Sequence, residues 1–543
     1  MRHGKLLCFM RFDPNTPVVV GVGQVSNLPH SEGEGSLADR PEPIGLMVEA
    51  VEAAIEDCDG VCPGGSAPAG RALTGRAESL RVANPLSWHY VNPGDLVAEA
   101  LGIEPAQVMV TTTGGNNPQR MVNATALAIG RGELDVAVLV GADCVYTQAA
   151  ARRHPDRPVL PWTVQPADTG PALTFGTDRR GSTDAEEERG LDLPIHAFPL
   201  FENALRAESG RSLEGHRLHI GTLWSRFSEV AAGNPHAWLR DARTADEVAT
   251  ASEANRMIDY PYTKLLTANM QVDQGAAVIL CSASAAEAAG VPRDRWIFPL
   301  AGADTEDHWF LSHRADFHSS PAIRLGGSSA LSLAGVTIDQ VAHLDLYSCF
   351  PSAVQIAAAE LGLPDDDPTR PLTVTGGLTF GGGPGNNYGT HALAAMVGTL
   401  RADPGSLGLA TGLGWYMSSH SIGIFGTDPG PAPAAGADAA RLPDGTVVES
   451  AGGFSWADPQ AAVGGLPQCS PDADAQGEVT VETYSVAYGR EGSPERAVVA
   501  CRTPEGRRAW ANVTDPDHLA VLVTEEGCGR LGTLRADGEV DLG

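Results

Sequence analysis

Short apolar runs that end in glycine or small residues alternate with amphipathic stretches in the first quarter of the chain. Residues 17–23 predict a buried strand, and apolar residues at helical spacing over 44–55 predict the helix that follows it. Residues 107–113 and 134–142 predict two more strands, joined by a glycine turn and a helix over 119–129. This order of strand, turn, helix and strand predicts an α/β unit with a buried sheet.

A second set of similar segments predicts another α/β unit. Both sets contain a glycine loop with an asparagine pair, Asn116-Asn117 in the first and Asn386-Asn387 in the second, about 270 residues apart. The repetition predicts a duplicated core with a site between its halves. The elements expected in the second set are strands at 341–346, 372–375 and 407–411 and helices at 353–361 and 390–401.

The remaining segments differ from the two α/β sets in pattern. Between the sets the chain is polar, proline-containing and helical, which predicts a lid over the site. A Pro/Ala/Gly/Asp linker and two alternating stretches near the C-terminus predict a small β-rich domain. The expected units are an N-terminal half (15–151 and 260–290), a lid (152–259), a C-terminal half (291–427), a linker (428–447) and a β-rich domain (448–543).

Composition narrows the class of protein. Arginine and lysine total 37 against 67 acidic residues, for a net charge of −30, and only two residues are lysine, so nucleic acid is not expected as a partner. No apolar stretch has the length of a membrane span, and the N-terminus lacks the pattern of a signal peptide. Nine scattered cysteines without a disulfide spacing favour the reducing cytoplasm.

Five segments follow one another in a distinctive order along the chain: PVVVGVGQ, LDVAVLVGAD, DQGAAVIL, DLYSCFPSAV and TGGLTFGGGPGNNYG. This order resembles the thiolase superfamily, especially its sterol-carrier-protein-x type. With the strand-rich tail included, the chain is most similar to the thiolase-like protein type 1 group, which has an additional OB-like C-terminal domain. The resemblance implies an α/β fold in which two thiolase-like halves form an α-β-α-β-α core.

Thiolases transfer acyl groups between CoA thioesters through a cysteine thiolate at a helix N-terminus. The alignment with this family places that cysteine on Gly115 and the histidine of its Gly-His-Pro loop on Gly383. The His-Asp-Cys-Phe motif reads Tyr347-Ser348-Cys349-Phe350 here, and the last family cysteine falls near Ala410. Because both the nucleophile and its base are missing, ordinary thiolysis or condensation is not expected.

The resemblance also selects candidate site residues, each weighed against a purely structural role. The catalytic candidates are Tyr347, Cys349, Asn116 and His420. For coenzyme A or acyl-CoA, the candidates are the basic residues Lys264, Arg226 and Arg240 and the loop glycines Gly114, Gly115 and Gly383. No metal site is expected. The structural alternatives are a core tyrosine for Tyr347, an inert buried thiol for Cys349, turn geometry for the asparagines and surface ion pairs for the basic residues.

Three functions remain open at this point. The first is an acyl-CoA-binding protein of lipid metabolism that has lost the acetyl-CoA acetyltransferase reaction. The second is retro-aldol or other carbon–carbon bond chemistry on acyl-CoA that depends on Tyr347, as the resemblance to certain thiolase-like proteins implies. The third is a non-enzymatic interaction scaffold. Thiolases dimerise through the strand before the nucleophile loop, a face that the lid or the tail can cover, so both a monomer and a homodimer are considered.

Overall fold

Twenty strands lie in the part of the chain that the computed structural model describes, residues 13–29, 36–60, 68–430 and 440–543. The middle of the predicted linker, residues 431–439, lies outside these ranges. The strands are β1 (Pro17–Ser26), β2 (Ser79–Ala83), β3 (Gln107–Thr111), β4 (Val136–Cys144), β5 (Leu173–Phe175), β6 (Met257–Tyr260), β7 (Tyr262–Thr263), β8 (Asp273–Ser282), β9 (Phe298–Glu306), β10 (His343–Asp345), β11 (Leu407–Gly414), β12 (Ser419–Gly426), β13 (Ala440–Arg441), β14 (Val447–Ala451), β15 (Phe454–Asp458), β16 (Gly477–Tyr488), β17 (Pro494–Arg502), β18 (Arg508–Val513), β19 (Leu531–Leu534) and β20 (Val540–Leu542).

Sixteen α-helices accompany the strands within the same described ranges, together with six short 3₁₀ turns. The helices are α1 (Pro43–Asp59), α2 (Ala69–Thr74), α3 (Pro93–Leu101), α4 (Asn117–Gly130), α5 (Val145–Arg153), α6 (Asp184–Glu188), α7 (Pro194–Glu208), α8 (Leu213–Gly233), α9 (Ala245–Ala249), α10 (Ala283–Ala289), α11 (Pro321–Ala334), α12 (Pro351–Leu361), α13 (Gly377–Phe380), α14 (Tyr388–Ala402), α15 (Gln460–Gly464) and α16 (Pro516–Thr524). The 3₁₀ turns are Leu37–Asp39, Lys264–Leu266, Arg293–Arg295, Leu311–His313, Ile338–Gln340 and Gly385–Asn387.

The first sheet has the strand order β1-β8-β4-β2-β3-β5. Strands β4, β2, β3 and β5 run parallel, whereas β8 is antiparallel to both of its neighbours. Every residue of β4 and β8 is buried, which is why these strands read as unbroken apolar runs in the sequence.

The second sheet repeats this arrangement. Its strands β10, β11, β12 and β9 are joined by one parallel and two antiparallel pairings, as are β2, β4, β8 and β1 of the first sheet. Helices α4 and α14 pack between the two sheets, α1 and α3 cover the outside of the first, and α11 covers the outside of the second. The layered, duplicated α/β core expected from the sequence is therefore confirmed.

The second sheet extends further along the chain than the sequence indicated. Strand β15 pairs in parallel with β9, and β14 and β13 follow it in antiparallel order. Residues 448–458, which the sequence analysis assigned to the β-rich tail, therefore belong to the core. These residues join the second sheet because β9 would otherwise be an edge strand, and the hairpin of β14 and β15 supplies the backbone hydrogen-bond partners that its edge needs.

The strand predicted at residues 372–375 does not form. The carboxylate of Asp345 accepts hydrogen bonds from the backbone N–H of Val374, at 3.0 Å, and from the hydroxyl of Thr373, at 3.0 Å. A side chain has taken backbone donors that a neighbouring strand would have used, so the segment is irregular. Its threonines resemble strand residues in the sequence, although here they bind a carboxylate.

The C-terminal strands form a third, antiparallel sheet in the order β18-β17-β16-β19-β20. Strand β6 pairs with β16, and helix α7 packs on the same strand, so the lid region and the tail are in direct contact. The lid boundary predicted at residue 259 falls inside β6, and β5 of the predicted lid belongs to the first sheet. Within the described ranges, no helix has the length and apolar character needed to span a membrane.

A buried arginine joins the third sheet to the core. The Arg508 side chain is fully buried and forms an ion pair with Glu482 at 2.6 Å. Its Nη1 donates to the carbonyl oxygens of Leu311, at 2.8 Å, and Arg314, at 2.5 Å. A buried guanidinium depends on such partners, because burying its charge without them costs several kcal/mol.

Replacing Arg508 by alanine should destabilise the whole chain. We expect a loss of about 2–3 kcal/mol, because the carbonyl oxygens of Leu311 and Arg314 would lose their buried donor. Glu482 would keep only its ion pair with Arg502. The neighbouring Arg507→Ala is the matched control, since its guanidinium is half exposed and pairs with Asp472. That variant should lose at most about 1 kcal/mol. Urea unfolding measures both, and equal losses would contradict the proposed role of Arg508.

Candidate active site

The loop before α4 meets two other segments of the core at Gly115. A Cβ atom placed on Gly115 would lie 2.1 Å from the hydroxyl oxygen of Tyr347 and 2.6 Å from the carbonyl oxygen of Leu413. Real Cβ atoms do not approach other heavy atoms this closely. The Tyr347 hydroxyl therefore occupies the space where a side chain at position 115 would begin.

Tyr347 is held in place by its backbone and its ring. Its N–H donates to the hydroxyl of Thr411 at 2.8 Å, and its ring packs edge-on against the ring of Tyr388 with centroids 5.3 Å apart. In contrast, the Tyr347 hydroxyl makes no hydrogen bond to the described part of the chain. Burial, and to a smaller extent the thiol of Cys349, raises the pKa of Tyr347 well above its usual value. The Tyr347 hydroxyl is therefore protonated, and it can donate a hydrogen bond to a ligand.

Cys349 lies two residues further on, just before the N-terminus of α12. The side chain is buried, and burial raises the pKa of its thiol far above the usual value despite two nearby backbone N–H groups. A nucleophilic cysteine needs the opposite shift, toward the thiolate. Cys349 is therefore a neutral thiol beside Tyr347, suited at most to weak proton donation.

Asparagines of the two glycine loops form hydrogen bonds that connect these loops to neighbouring segments of the core. The side-chain amide of Asn116 donates to the hydroxyl of Ser419 at 3.0 Å. The backbone N–H of Gly114 donates to Asn386 Oδ1 at 2.8 Å, and Asn386 Nδ2 donates to the Asn84 carbonyl at 2.8 Å. The side-chain amide of Asn116 is therefore already hydrogen-bonded to Ser419. Together, Asn116 and Asn386 fix the loop around Gly115 to the C-terminal half of the core.

His420 is turned toward a buried ion pair. Its Nε2 lies 2.9 Å from the carbonyl oxygen of Met417 and 3.3 Å from a carboxylate oxygen of Asp307, which also pairs with Arg314 at 3.1 Å. Burial opposes ionisation of Asp307, but Arg314 and His420 together lower its pKa to about 2. His420 therefore braces the turn between β11 and β12, in which Trp415 and Met417 both have a φ of 57°.

Gly383 stands in a roomier place than Gly115. A Cβ atom on Gly383 would meet the carbonyl oxygen of Asn269 at 3.4 Å and the Leu378 side chain at 3.6 Å, which are ordinary contacts. The adjacent Gly382 has a φ of +114°, and a Cβ there would meet Gln274 at 2.1 Å. The conformation of the loop thus requires glycine at 382, whereas the glycine at 383 leaves space unfilled.

The three basic candidates occupy different places. Arg226, on α8, lines a cleft of about 230 Å³ together with Arg370, and its Nε has no hydrogen-bond partner within the described residues. Lys264 and Arg240 are exposed at the surface, and Arg240 follows a segment whose backbone bonds to Phe380 and Gly381. Of the three candidates, Arg226 is the one that lines this cleft.

The sequence analysis missed three groups that shape the site. Leu413 contributes a backbone carbonyl, which has no signature in the sequence. Asp345 accepts the hydroxyl of Tyr388 at 2.8 Å, and Asp307 anchors His420, but both acids lie far in the sequence from the residues they bind. Asp345 is the first residue of the DLYSCF segment, and its position two residues before Tyr347 is the sequence feature that could have marked it as a site residue.

The C-terminal part of the chain and the whole fold both have known relatives. Residues 458–539 match the family model of the thiolase-like protein type 1 additional C-terminal domain. The structure of a monomeric SCP2-thiolase-like protein type 1 from Mycobacterium smegmatis is 29% identical, with a TM-score of 0.77, over 98% of this chain and 99% of that one. No curated protein sequence matches the chain.

Other structures match the core at lower identity and show its fold. The Ltp2-ChsH2(DUF35) aldolase is 20% identical over 76% of this chain and 98% of that one, with a TM-score of 0.54. The Acat5 thiolase from Ascaris suum in complex with coenzyme A is 16% identical over 76% of this chain and 99% of that one, with a TM-score of 0.53.

Fold and site together define a thiolase-like protein in which glycine stands at the position where the family alignment places the nucleophile. The chain has the fold of a thiolase-like protein type 1 over nearly its whole length, and its residues 458–539 match the additional C-terminal domain of that group. Its fold and its added domain are those expected from the sequence.

Substitution by alanine should affect protein stability differently at Gly115 and at Gly383. Gly115→Ala should cost about 1–3 kcal/mol, because its Cβ would overlap the Tyr347 hydroxyl and the Leu413 carbonyl. Gly383→Ala should change stability by less than about 1 kcal/mol, because its Cβ meets only ordinary contacts. Urea unfolding of both variants measures the difference. If Gly115→Ala were as stable as Gly383→Ala, the close approach of Tyr347 would be wrong.

Proposed function

We propose that the protein binds coenzyme A or acyl-CoA in lipid metabolism and does not catalyse ordinary thiolysis or condensation. The observation that carries this proposal is the position of the Tyr347 hydroxyl, which fills the place of a side chain at Gly115 on a thiolase-like fold. Without a thiolate at that position, no acyl-enzyme can form there by the family's route. The thiolase-like fold itself supports the binding part of the proposal.

The cleft of Arg226 supports the binding proposal. Arg226 and Arg370 line a cleft together with the acids Glu229 and Asp367 and with apolar side chains that include Phe227 and Leu372. The guanidinium groups suit the phosphates of coenzyme A and the apolar side chains suit its pantetheine arm, whereas the two acids oppose phosphate binding. Phe227 also faces Gly377, and a Cβ there would lie 2.5 Å from the Ser348 hydroxyl, so the cleft approaches the Tyr347 turn. One structure of the same fold holds coenzyme A.

Coenzyme A should bind the purified protein, and Arg226→Gln should weaken binding at least fivefold, because a charged hydrogen bond to phosphate would be lost. Isothermal titration measures both affinities. Arg217→Gln on the same helix is the matched control, since Arg217 pairs with Glu214 and lies outside the cleft. An absence of heat with coenzyme A and with several acyl-CoAs would remove the proposal and favour a non-enzymatic interaction scaffold.

A second function has its own support. The Tyr347 hydroxyl has no partner in the described chain and remains protonated at neutral pH, as an acid catalyst must. In a retro-aldol cleavage of a β-hydroxyacyl-CoA, the bond between the α and β carbons breaks and its electron pair stays on the α carbon. Through Tyr347, the proton of the β-hydroxyl would pass to the α carbon, leaving a carbonyl compound and a shortened acyl-CoA. An aldolase is among the structures of this fold.

Tyr347→Phe tests this second function. If β-hydroxyacyl-CoA is cleaved, the variant should lose about 10²–10⁴-fold in kcat, the usual contribution of one acid–base group. Tyr388→Phe is the matched control, because its hydroxyl is bound to Asp345 and Thr375. It should keep kcat within a fewfold. Chromatographic detection of the shortened acyl-CoA provides the assay, and cleavage that survives in Tyr347→Phe would rule out this role.

We further propose a cytoplasmic monomer. Strand β5 pairs with β3 through Met109–Leu173 and Thr111–Phe175 and so covers the edge through which thiolases dimerise. The type 1 protein from Mycobacterium smegmatis is described as monomeric. All cysteines in the described ranges are free thiols, the state favoured in the cytoplasm.

A further inference from the structure

Arg81 lies in the middle of β2, and its side chain is buried without an acidic partner in the described chain. The residue is 5% exposed, and its one hydrogen bond to the described residues runs from Nε to the hydroxyl oxygen of Ser79, at 3.2 Å. Burial lowers the pKa of Arg81 to about 10, and no described carboxylate is near enough to oppose this shift. The two Nη groups of the guanidinium therefore keep donors that the described chain does not use.

Four other arginines are buried in the described chain, and they show what Arg81 lacks. Each of the four forms an ion pair with a carboxylate: Arg40 with Asp273, Arg206 with Glu526, Arg314 with Asp307 and Arg508 with Glu482. A guanidinium that leaves water loses its hydration, and an opposite charge normally compensates for that loss. The sequence has 67 acidic residues against 37 arginines and lysines, so acids are not scarce. An anion from outside the described chain would complete Arg81 as these carboxylates complete the other arginines.

The side chain of Arg81 lies beside an open part of the first sheet. Strand register pairs Arg81 with Met109 and Met109 with Leu173, so the three residues share one face of β2, β3 and β5. Val108 and Val110 lie on the opposite face and pack against the apolar core. Met109 is half-buried and Leu173 is 54% exposed. The face is therefore open to solvent at β3 and β5, next to the strand that carries Arg81.

Gln107 brings a further donor to this face. It is the register partner of Ser79, and its Oε1 lies 3.5 Å from the Ser79 hydroxyl. Its side-chain N–H groups have no partner among the described residues, so they and the Nη groups of Arg81 are available donors. Free donors without a nearby acid suit an anion, and a guanidinium matches the two oxygens of a carboxylate. The apolar side chains of Met109 and Leu173 would contact an aliphatic stem that carries this carboxylate.

We propose that Arg81 and Gln107 form a binding site, which we call the Arg81 site, for a carboxylate on a short aliphatic stem. The guanidinium would bind the carboxylate oxygens, the Gln107 amide would donate a further hydrogen bond, and the stem would lie on Met109 and Leu173. A free short-chain carboxylate and the glutamate side chain of a protein partner both present this group. The Arg81 site shares no residue with the candidate active site or the cleft described above, so it is independent of the proposed binding of coenzyme A.

Isothermal titration of the full chain with butyrate and with the blocked peptide acetyl-Leu-Glu-Leu-amide tests the two sources. At least one of them should bind, whereas butyramide, which has no charge, should not. Arg81→Met should weaken that binding by about tenfold or more, because a charge-assisted hydrogen bond to the carboxylate is lost. Arg76→Met is the matched control, since it removes the same charge from an exposed arginine just before β2. It should leave the affinities unchanged.

Tighter binding of the peptide than of butyrate would identify a protein side chain as the ligand, and the reverse order would identify a free carboxylate. Gln107→Leu removes the amide donors and should weaken the same ligand by about twofold or more. Arg81→Met should also keep or raise the urea midpoint in carboxylate-free buffer, because the variant no longer buries an uncompensated charge. Failure of both ligands to bind, an unchanged affinity in Arg81→Met or a clear fall in its urea midpoint would overturn the Arg81 site.

Discussion

The close packing around Gly115 is the constraint on which the site depends. Three chain segments, from both halves of the core, bring a hydroxyl and a carbonyl oxygen within 2.6 Å of where a Cβ would stand. This arrangement and a nucleophilic side chain exclude each other, because the same space cannot hold both. The residues at positions 115 and 347 are thus coupled by sterics, and a side chain at 115 would require the Tyr347 hydroxyl to move.

Several buried polar groups maintain this packing from a distance. Asp307 and Arg314 hold the turn that presents the Leu413 carbonyl, while Asn386 holds the loop of Gly114. Asp345 receives Tyr388, whose ring supports that of Tyr347. Each of these groups is buried with its partner, and removing one partner would leave an unpaired polar group in the core. The packing around Gly115 is therefore maintained by contacts that are costly to break.

Much of this fold could be predicted from the sequence, because buried strands such as β4 and β8 leave unbroken apolar runs. The irregular segment at 372–375 could not, since the competition of Asp345 for its backbone donors involves residues that are distant in the chain. The hairpin of β14 and β15 was assigned to the wrong unit for a similar reason, as strand pairing with β9 leaves no local signal. The sequence analysis selected Gly115 and Tyr347 as separate site candidates, but the contact between them, and the carbonyl of Leu413, required coordinates.

The parallel pairing of β15 with β9 also affects how the chain folds during synthesis. Strand β9 begins at Phe298, yet its last neighbour in the sheet ends at Asp458. The first sheet has all its strands once Ser282 has been made, whereas the second must wait for a further long stretch of chain. Pairings of such large sequence separation form slowly. All strands of the first sheet are therefore synthesised well before those of the second, and strand β9 keeps an open edge until the hairpin of β14 and β15 has been made.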